Sequence, residues 1–101
     1  MSELSSLSVA QQRELLASKQ ATPLDLVNGA LSRIDQVQPD LNCFVEVWAD
    51  EARERAQSVD SSAGGLAGIP IAIKDTSSWF GHKSTSGSRV FEHNVARHTD
   101  A

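Results

Sequence analysis

The sequence is organised around residues 64–75, which read GGLAGIPIAIKD. This stretch begins with glycines and ends in a lysine that is followed by an aspartate. Between them, three isoleucines alternate with other residues, and an apolar period of two is typical of a β-strand. One face of such a strand carries the isoleucines, and the other carries small residues and then Lys74. The pattern therefore predicts a buried strand at residues 69–73 with a lysine close to its end.

Lys74 has two interpretations. Desolvation disfavours the charged form of a lysine, and a neutral lysine can act as a general base for a hydroxyl nucleophile. In the alternative, the role is structural: the aliphatic stem is buried, and the ammonium group reaches water or pairs with Asp75. Because most lysines are structural, the pattern taken alone favours the second interpretation.

A family resemblance changes this balance. Residues 68–75 (GIPIAIKD), followed by residues 84–89 (STSGSR), resemble the start of the catalytic domain of the amidase signature family. That family includes amidases, aryl acylamidases, oligoamide hydrolases and the A subunit of the tRNA-dependent amidotransferase. The resemblance implies that Lys74 is the base of a Ser–cis-Ser–Lys triad. It also implies an α/β fold in which a large mixed sheet is flanked by helices.

The resemblance covers nearly the whole chain in order. Residues 22–45 contain TPLDLV, RI and PDLNCFV in the order seen in the family. We therefore expect residues 1–101 to be the N-terminal portion of an amidase signature domain, truncated before the sheet is complete. Residues 1–40 would form a helical hairpin, and residues 41–101 would start the α/β core.

Start and stop signals predict three helices and one further strand. The helices are expected at residues 8–19, 22–38 and 50–59, the strand at 43–48, the N-caps at Ser8, Thr22 and Asp50, and a stop at Pro39. Residues 1–7 are expected to be frayed. The second helix is the best signalled, because Pro23 occupies its first position and an apolar stripe follows.

Composition limits the possible functions. The 101 residues carry a net charge of −4, which argues against nucleic-acid binding because phosphates require a basic patch. The single cysteine, Cys43, cannot form an internal disulfide and is expected to be a small buried hydrophobe. The three histidines lack metal spacing and are expected at the surface, so neither a metal nor a cofactor is predicted. The absence of a basic, apolar leader or a membrane span predicts a cytoplasmic protein.

Two other segments have open interpretations. Trp79 and Phe80 either line an entrance to a substrate pocket or cover the sheet, and base rates favour the second. Residues 84–88 are rich in hydroxyl groups but lack a G-x-S-x-G elbow, and the chain has no S-x-x-K pattern. The resemblance assigns this segment to the scaffold beside the lysine.

The resemblance implies an amidase-type hydrolase that acts on carboxamide C–N bonds of a small-molecule substrate. In the family the two serines lie in a Gly/Ser-rich segment well downstream of the lysine, and the 101 residues contain no such segment. We therefore expect this chain alone to have no amidase activity. One alternative is an A-subunit-like part of a tRNA-dependent amidotransferase, although the aromatic pair at residues 79–80 favours the hydrolase slightly. The other is a non-catalytic interaction or structural fragment.

Overall fold

Three α-helices form most of the regular structure in residues 2–100, the part of the chain described by the computed structural model. They are α1 at Val9–Ala17, α2 at Pro23–Leu41 and α3 at Ala49–Ser58. Short 3-10 helices lie at Ser2–Ser6, Ser61–Ala63 and Arg89–Phe91. The chain divides into two compact units. The first unit comprises the residues up to 43 together with 47–70, and the second comprises 44–46 and the residues from 71 onward.

The predicted starts of α1 and α2 are confirmed, and both are capping boxes. The backbone N–H of Gln11 donates to Oγ of Ser8 across 3.1 Å, and the N–H of Ser8 donates back to Oε1 of Gln11 across 2.8 Å. Thr22 and Asp25 form the same reciprocal pair at the start of α2, with distances of 3.2 and 2.9 Å. Each box satisfies N–H groups that the first helical turn leaves without a partner.

The prediction that Pro39 ends α2 is wrong. The helix continues through Pro39 to Leu41 and stops at Asn42, which has a left-handed φ of 46°. The N–H of Asn42 donates to the carbonyl of Gln38 across 2.8 Å. Proline removes one helical hydrogen bond, and in the last turn that loss does not stop the helix. The left-handed residue after Leu41 ends it instead.

The start of α3 also differs from the prediction. Trp48 is the N-cap and makes no side-chain capping hydrogen bond, and Asp50 lies inside the first turn. A carboxylate in that turn still interacts favourably with the positive end of the helix dipole. The expected surface pair between Glu51 and Arg55 is present, with 3.7 Å between Arg55 Nη2 and Glu51 Oε1.

The core of the first unit is small and lies along α2. Leu26 is 2% exposed and Val27 is 6% exposed, and Leu16 of α1 is also buried. Gln12 is buried as well, and its Nε2 donates to the carbonyl of Leu7 across 3.1 Å. Nε2 also donates to the carbonyl of Leu4 across 3.4 Å, which ties the N-terminal 3-10 helix to α1 where the sequence predicts frayed residues.

Neither predicted strand forms within residues 2–100. Residues 43–48 and 69–73 lie outside regular elements, and the β-pairing in this part of the chain is one isolated bridge between Lys83 and Val95. A strand is stabilised by hydrogen bonds to a neighbouring strand. The described residues provide no such neighbouring strand for residues 69–73. Ile71, expected in a core, is 68% exposed. The helical half of the α/β prediction is therefore observed, whereas its sheet is not.

Candidate active site

Lys74 lies in an irregular segment of the second unit, directly before a turn. Its carbonyl accepts a hydrogen bond from the N–H of Ser77 across 2.9 Å, so the chain reverses immediately after the lysine. The Lys74 side chain is exposed, and its ammonium group forms no ion pair within residues 2–100. The sequence predicts a lysine at the end of a buried strand. The observed lysine is instead accessible, because residues 69–73 pair with no neighbouring strand in the described part of the chain.

The carboxylate next to Lys74 is bound to a turn ten residues away. Oδ1 of Asp75 accepts a hydrogen bond from the N–H of Thr85 across 3.1 Å. Oδ2 accepts from the hydroxyl of Thr85 and from the N–H of Gly87, the latter across 3.2 Å. We call this set of contacts between Asp75, Thr85 and Gly87 the Asp75 clasp. The sequence suggests Asp75 as an ion-pair partner of Lys74, whereas the structure places its carboxylate on the hydroxyl-rich segment.

The clasp changes the acidity of Asp75. Its pKa lies below the ordinary value of an aspartate, chiefly because the Thr85 hydroxyl donates to the charged carboxylate and then because the Thr85 N–H does so. Partial desolvation opposes this shift and is smaller. The carboxylate is therefore ionised at neutral pH and acts as a hydrogen-bond acceptor.

The turn that Asp75 binds is itself specialised. Thr85 is only 6% exposed, and its hydroxyl also accepts from the N–H of Gly87 across 3.3 Å. Ser86 and Gly87 both have positive φ values, of 50° and 70°. Glycine adopts this region freely, whereas a serine there is strained. The sequence signal that could have revealed the clasp is an aspartate followed ten residues later by Thr-Ser-Gly, a typical turn sequence.

Two predictions about reactive side chains need correction. Cys43 is exposed, because it follows the end of α2 in an irregular segment that no strand covers. His82 is not a simple surface histidine: its side chain is 21% exposed, and Nδ1 lies 3.2 Å from Oε1 of Glu46. His93 and His98 are exposed, as predicted.

Phe80, the second residue of the aromatic pair, borders an open cavity of the second unit. Phe80 is 66% exposed and lines a cavity of about 460 Å³ together with Val95 and Arg97. The N–H of Phe80 donates to Oγ1 of Thr99 across 3.0 Å, which fixes this part of the backbone. Trp79 is half-buried. The described residues contain no sheet for the pair to cover.

Neither a metal cluster nor a membrane helix occurs in residues 2–100. No group of three His, Cys, Asp and Glu side chains in this part of the chain could hold a metal ion. No helix there combines the length and the apolar character that a membrane span requires.

Comparison with known proteins identifies the family. The Amidase family profile matches residues 25–101, which contain Lys74 and the Asp75 clasp. The A subunit of the glutamyl-tRNA(Gln) amidotransferase of Granulibacter bethesdensis is 35% identical over 106 residues, which cover 100% of this chain and 21% of the relative. The proteins of the same name from Synechococcus sp. and Roseiflexus castenholzii are 37% and 38% identical, over 85% and 91% of this chain and 19% and 20% of the relatives.

The matches cover most of this chain but only a small part of each relative. The chain spans about a fifth of the length of the relatives named above. No solved structure matches the chain. The family profile nevertheless covers most of the chain, and a relative aligns over all of it. The chain therefore belongs to the amidase signature family.

Proposed function

We propose that this chain supplies Lys74 as the base of a Ser–cis-Ser–Lys triad that cleaves carboxamide C–N bonds in small-molecule amides. The proposal rests on the family match over residues 25–101, combined with the position of Lys74 at the end of the GIPIAIK stretch. The exposed side chain supports it, because a base must be within reach of the hydroxyl group whose proton it takes.

In the proposed mechanism, neutral Lys74 accepts a proton from the relay serine, which accepts one from the nucleophilic serine. The nucleophilic oxygen attacks the amide carbonyl, the C–N bond breaks as the proton held by Lys74 passes to the leaving nitrogen, and ammonia or an amine departs while an acyl-enzyme forms. Water then attacks the acyl-enzyme and releases the carboxylic acid. Backbone N–H groups near the serines would stabilise the oxyanion. The two serines would come from sequence that the 101 residues do not contain, so we propose that this chain alone is inactive.

The proposed function also requires residues 69–73 to form a strand of a sheet. Residues 69–73 keep the alternation of a strand, and their isoleucines at 71 and 73 are exposed. We propose that this segment joins a mixed sheet when a neighbouring strand is available. Pairing would bury those isoleucines, and desolvation of the Lys74 amino group in the completed sheet would favour the neutral lysine that the mechanism needs.

A second candidate function is favoured by the names of the relatives. The three relatives described above are A subunits of glutamyl-tRNA(Gln) amidotransferases. In an A-subunit-like protein, Lys74 would keep the same role, and the ammonia released from the amide would be used elsewhere in the amidotransferase. The two candidates share the carboxamide cleavage step and differ in what consumes the ammonia.

The first experiment is the intact mass of the gene product in its source cells. A mass several times the 10.9 kDa of this chain would place Lys74 in a longer protein that can carry the serines. A mass of 10.9 kDa would mean that one chain never assembles the triad. In that case, light scattering that shows self-association would favour the non-catalytic interaction fragment.

The second experiment tests the base directly in the native gene product. Ammonia release is measured from glutamine and from benzamide for the native sequence, Lys74→Ala and Lys83→Ala. Lys83 is an exposed lysine of the same unit and serves as the matched control. We expect Lys74→Ala to lower turnover by at least about 100-fold, the usual contribution of a general base, and Lys83→Ala to leave it unchanged. Turnover that survives Lys74→Ala would overturn the proposal. Dependence of glutamine cleavage on glutamyl-tRNA would select the amidotransferase candidate.

A further inference from the structure

We infer that Asp75 is a positioning residue, which binds the Thr85–Gly87 turn and thereby fixes the backbone that carries Lys74. The inference rests on the proposed function, since it concerns the placement of the proposed base. It assigns no proton transfer to Asp75.

The clasp uses both oxygens of one carboxylate. Oδ1 of Asp75 accepts from the Thr85 N–H, and Oδ2 accepts from the Thr85 hydroxyl and the Gly87 N–H. Hydrogen bonds to an ionised acceptor are about twice as strong as neutral ones. The three donors belong to one short turn, and Thr85 is nearly fully buried. Asp75 is therefore joined by hydrogen bonds to a turn that begins ten residues later in the chain, at Thr85.

The clasp matters for Lys74 because few other contacts fix that residue. The Lys74 side chain forms no ion pair in the part of the chain that the structure describes. Its backbone is fixed on one side by the hydrogen bond from the Ser77 N–H to its carbonyl. Asp75, which directly follows that carbonyl, is bound to the turn through its side chain. Removing the clasp leaves the peptide unit that joins Lys74 to Asp75 with the hydrogen bond from Ser77 but without the anchor at the turn.

A direct chemical role for Asp75 fits the geometry less well. Its oxygens already accept three hydrogen bonds, and those bonds lower its pKa, so it is a poor proton donor at neutral pH. A displacement of about 1 Å at a catalytic group can cost roughly 100-fold in rate. The expected consequence of losing the clasp is therefore a lower kcat with little change in KM.

The test compares Asp75→Asn with Asp100→Asn in the native gene product. Asp100 is the matched control, because its Oδ2 accepts the N–H of Ser78 across 2.7 Å in the same unit and it does not contact the turn at 85–87. In Asp75→Asn we expect amide hydrogen exchange at Thr85 and Gly87 to accelerate at least tenfold. We also expect kcat on glutamine or benzamide to fall about 10- to 100-fold, with KM within a factor of about two. In Asp100→Asn, faster exchange should be confined to Ser78 and kcat should be unchanged.

A second pair of variants tests whether Asp75 acts through Thr85. Thr85→Ser keeps the hydroxyl donor, and Thr85→Val removes it at nearly constant shape. We expect Thr85→Val to reproduce the loss of kcat and Thr85→Ser to retain most of the turnover. The loss in the double variant Asp75→Asn/Thr85→Val should be smaller than the product of the two single losses, because both changes remove the same contact. If Asp75→Asn fails to fold, this Thr85 pair carries the test.

The outcomes separate this inference from the proposed function. Unchanged exchange at Thr85 and Gly87 in Asp75→Asn would overturn the inference. Faster exchange with normal kcat would also overturn it, and the proposed function would stand if Lys74→Ala still abolished turnover. If Lys74→Ala keeps full turnover, the proposed function fails, and the positioning role fails with it even where the exchange results show that the clasp exists.

Discussion

Gly68 packs against Leu16 so closely that a Cβ atom added to it would require Leu16 to shift. A Cβ added at Gly68 would lie 3.2 Å from Cδ1 of Leu16, 3.1 Å from Cβ of Ser61 and 3.2 Å from Cγ of Pro23. Gly68 also has a φ of +89°, which favours glycine. Gly68 is the first residue of the GIPIAIKD stretch. The family segment thus starts at a point fixed by packing against α1 and the first residue of α2.

This packing predicts that Gly68→Ala is more destabilising than Gly65→Ala. Gly65 also has a positive φ, of +57°, but an added Cβ there would meet nothing within 4 Å. Gly65→Ala should therefore lower the free energy of unfolding by about 1 kcal/mol, from backbone strain alone. Gly68→Ala should add roughly 1–3 kcal/mol from crowding. Equal midpoints for the two variants in urea unfolding would show that the contact at Leu16 relaxes without cost.

The core position Leu26 can be compared with a surface leucine on the same helix. Leu26 is 2% exposed, and Leu41, in the last turn of α2, is 64% exposed. Leu26→Ala should lower the free energy of unfolding by about 2–5 kcal/mol, because it removes buried apolar surface and leaves a cavity. Leu41→Ala should change it by less than about 0.5 kcal/mol. Similar losses for the two variants in urea unfolding would contradict the observed packing of α2.

The capping box at the start of α2 gives a third prediction. Thr22→Ala removes the acceptor for the N–H of Asp25, so it should lower the free energy of unfolding by about 1 kcal/mol. Thr22→Ser keeps that acceptor and should cost only a few tenths of a kcal/mol. Gln57→Ala, at an exposed position inside α3, is a control for simple surface substitution. Thermal unfolding followed by the helical circular dichroism signal measures all three. A loss for Thr22→Ser equal to that for Thr22→Ala would exclude capping as the cause.

Local signals explain which features the sequence could predict. The capping boxes at Ser8 and Thr22 depend on residues three apart, so the helix starts were readable from the sequence. The predicted stop at Pro39 is wrong because proline is tolerated in the last turn of the helix, which ends at the left-handed Asn42. The strand at residues 69–73 was not observed because a strand depends on partners distant in sequence.

In the candidate site, too, local sequence predicts one feature and does not predict another. The position of Lys74 in the GIPIAIKD stretch makes it the candidate base, and this role remains a prediction. The sequence does not predict the clasp, because Thr-Ser-Gly indicates a turn but not that the Asp75 carboxylate binds it. Lys74 lies in a short segment whose sequence resembles that of a known family, whereas the clasp requires contacts that form only when the second unit folds.

The lowered pKa of Asp75 predicts how the clasp depends on pH. A carboxyl group with a lower pKa in the folded state stabilises that state above its ordinary pKa of about 3.9, and this contribution is lost as the pH falls through the folded-state value. Amide exchange at Thr85 and Gly87, corrected for the intrinsic effect of pH, should therefore stay slow from pH 7 to about pH 4 and accelerate below it. In Asp75→Asn the two amides should exchange rapidly at every pH, because no carboxylate remains to be protonated.

A second aspartate serves as a control that distinguishes protonation of Asp75 from unfolding of the whole chain. The pKa of Asp60 is also lowered, because its side chain accepts hydrogen bonds from the hydroxyl and the N–H of Ser62, and Asp60 belongs to the first unit. Asp60→Asn should accelerate exchange at Ser62 and leave the acid transition at Thr85 where it is. If Asp60→Asn shifts that transition, the low-pH change reports unfolding of the whole chain. If only Asp75→Asn removes it, the transition is the protonation of one carboxylate and the release of the turn that this carboxylate binds.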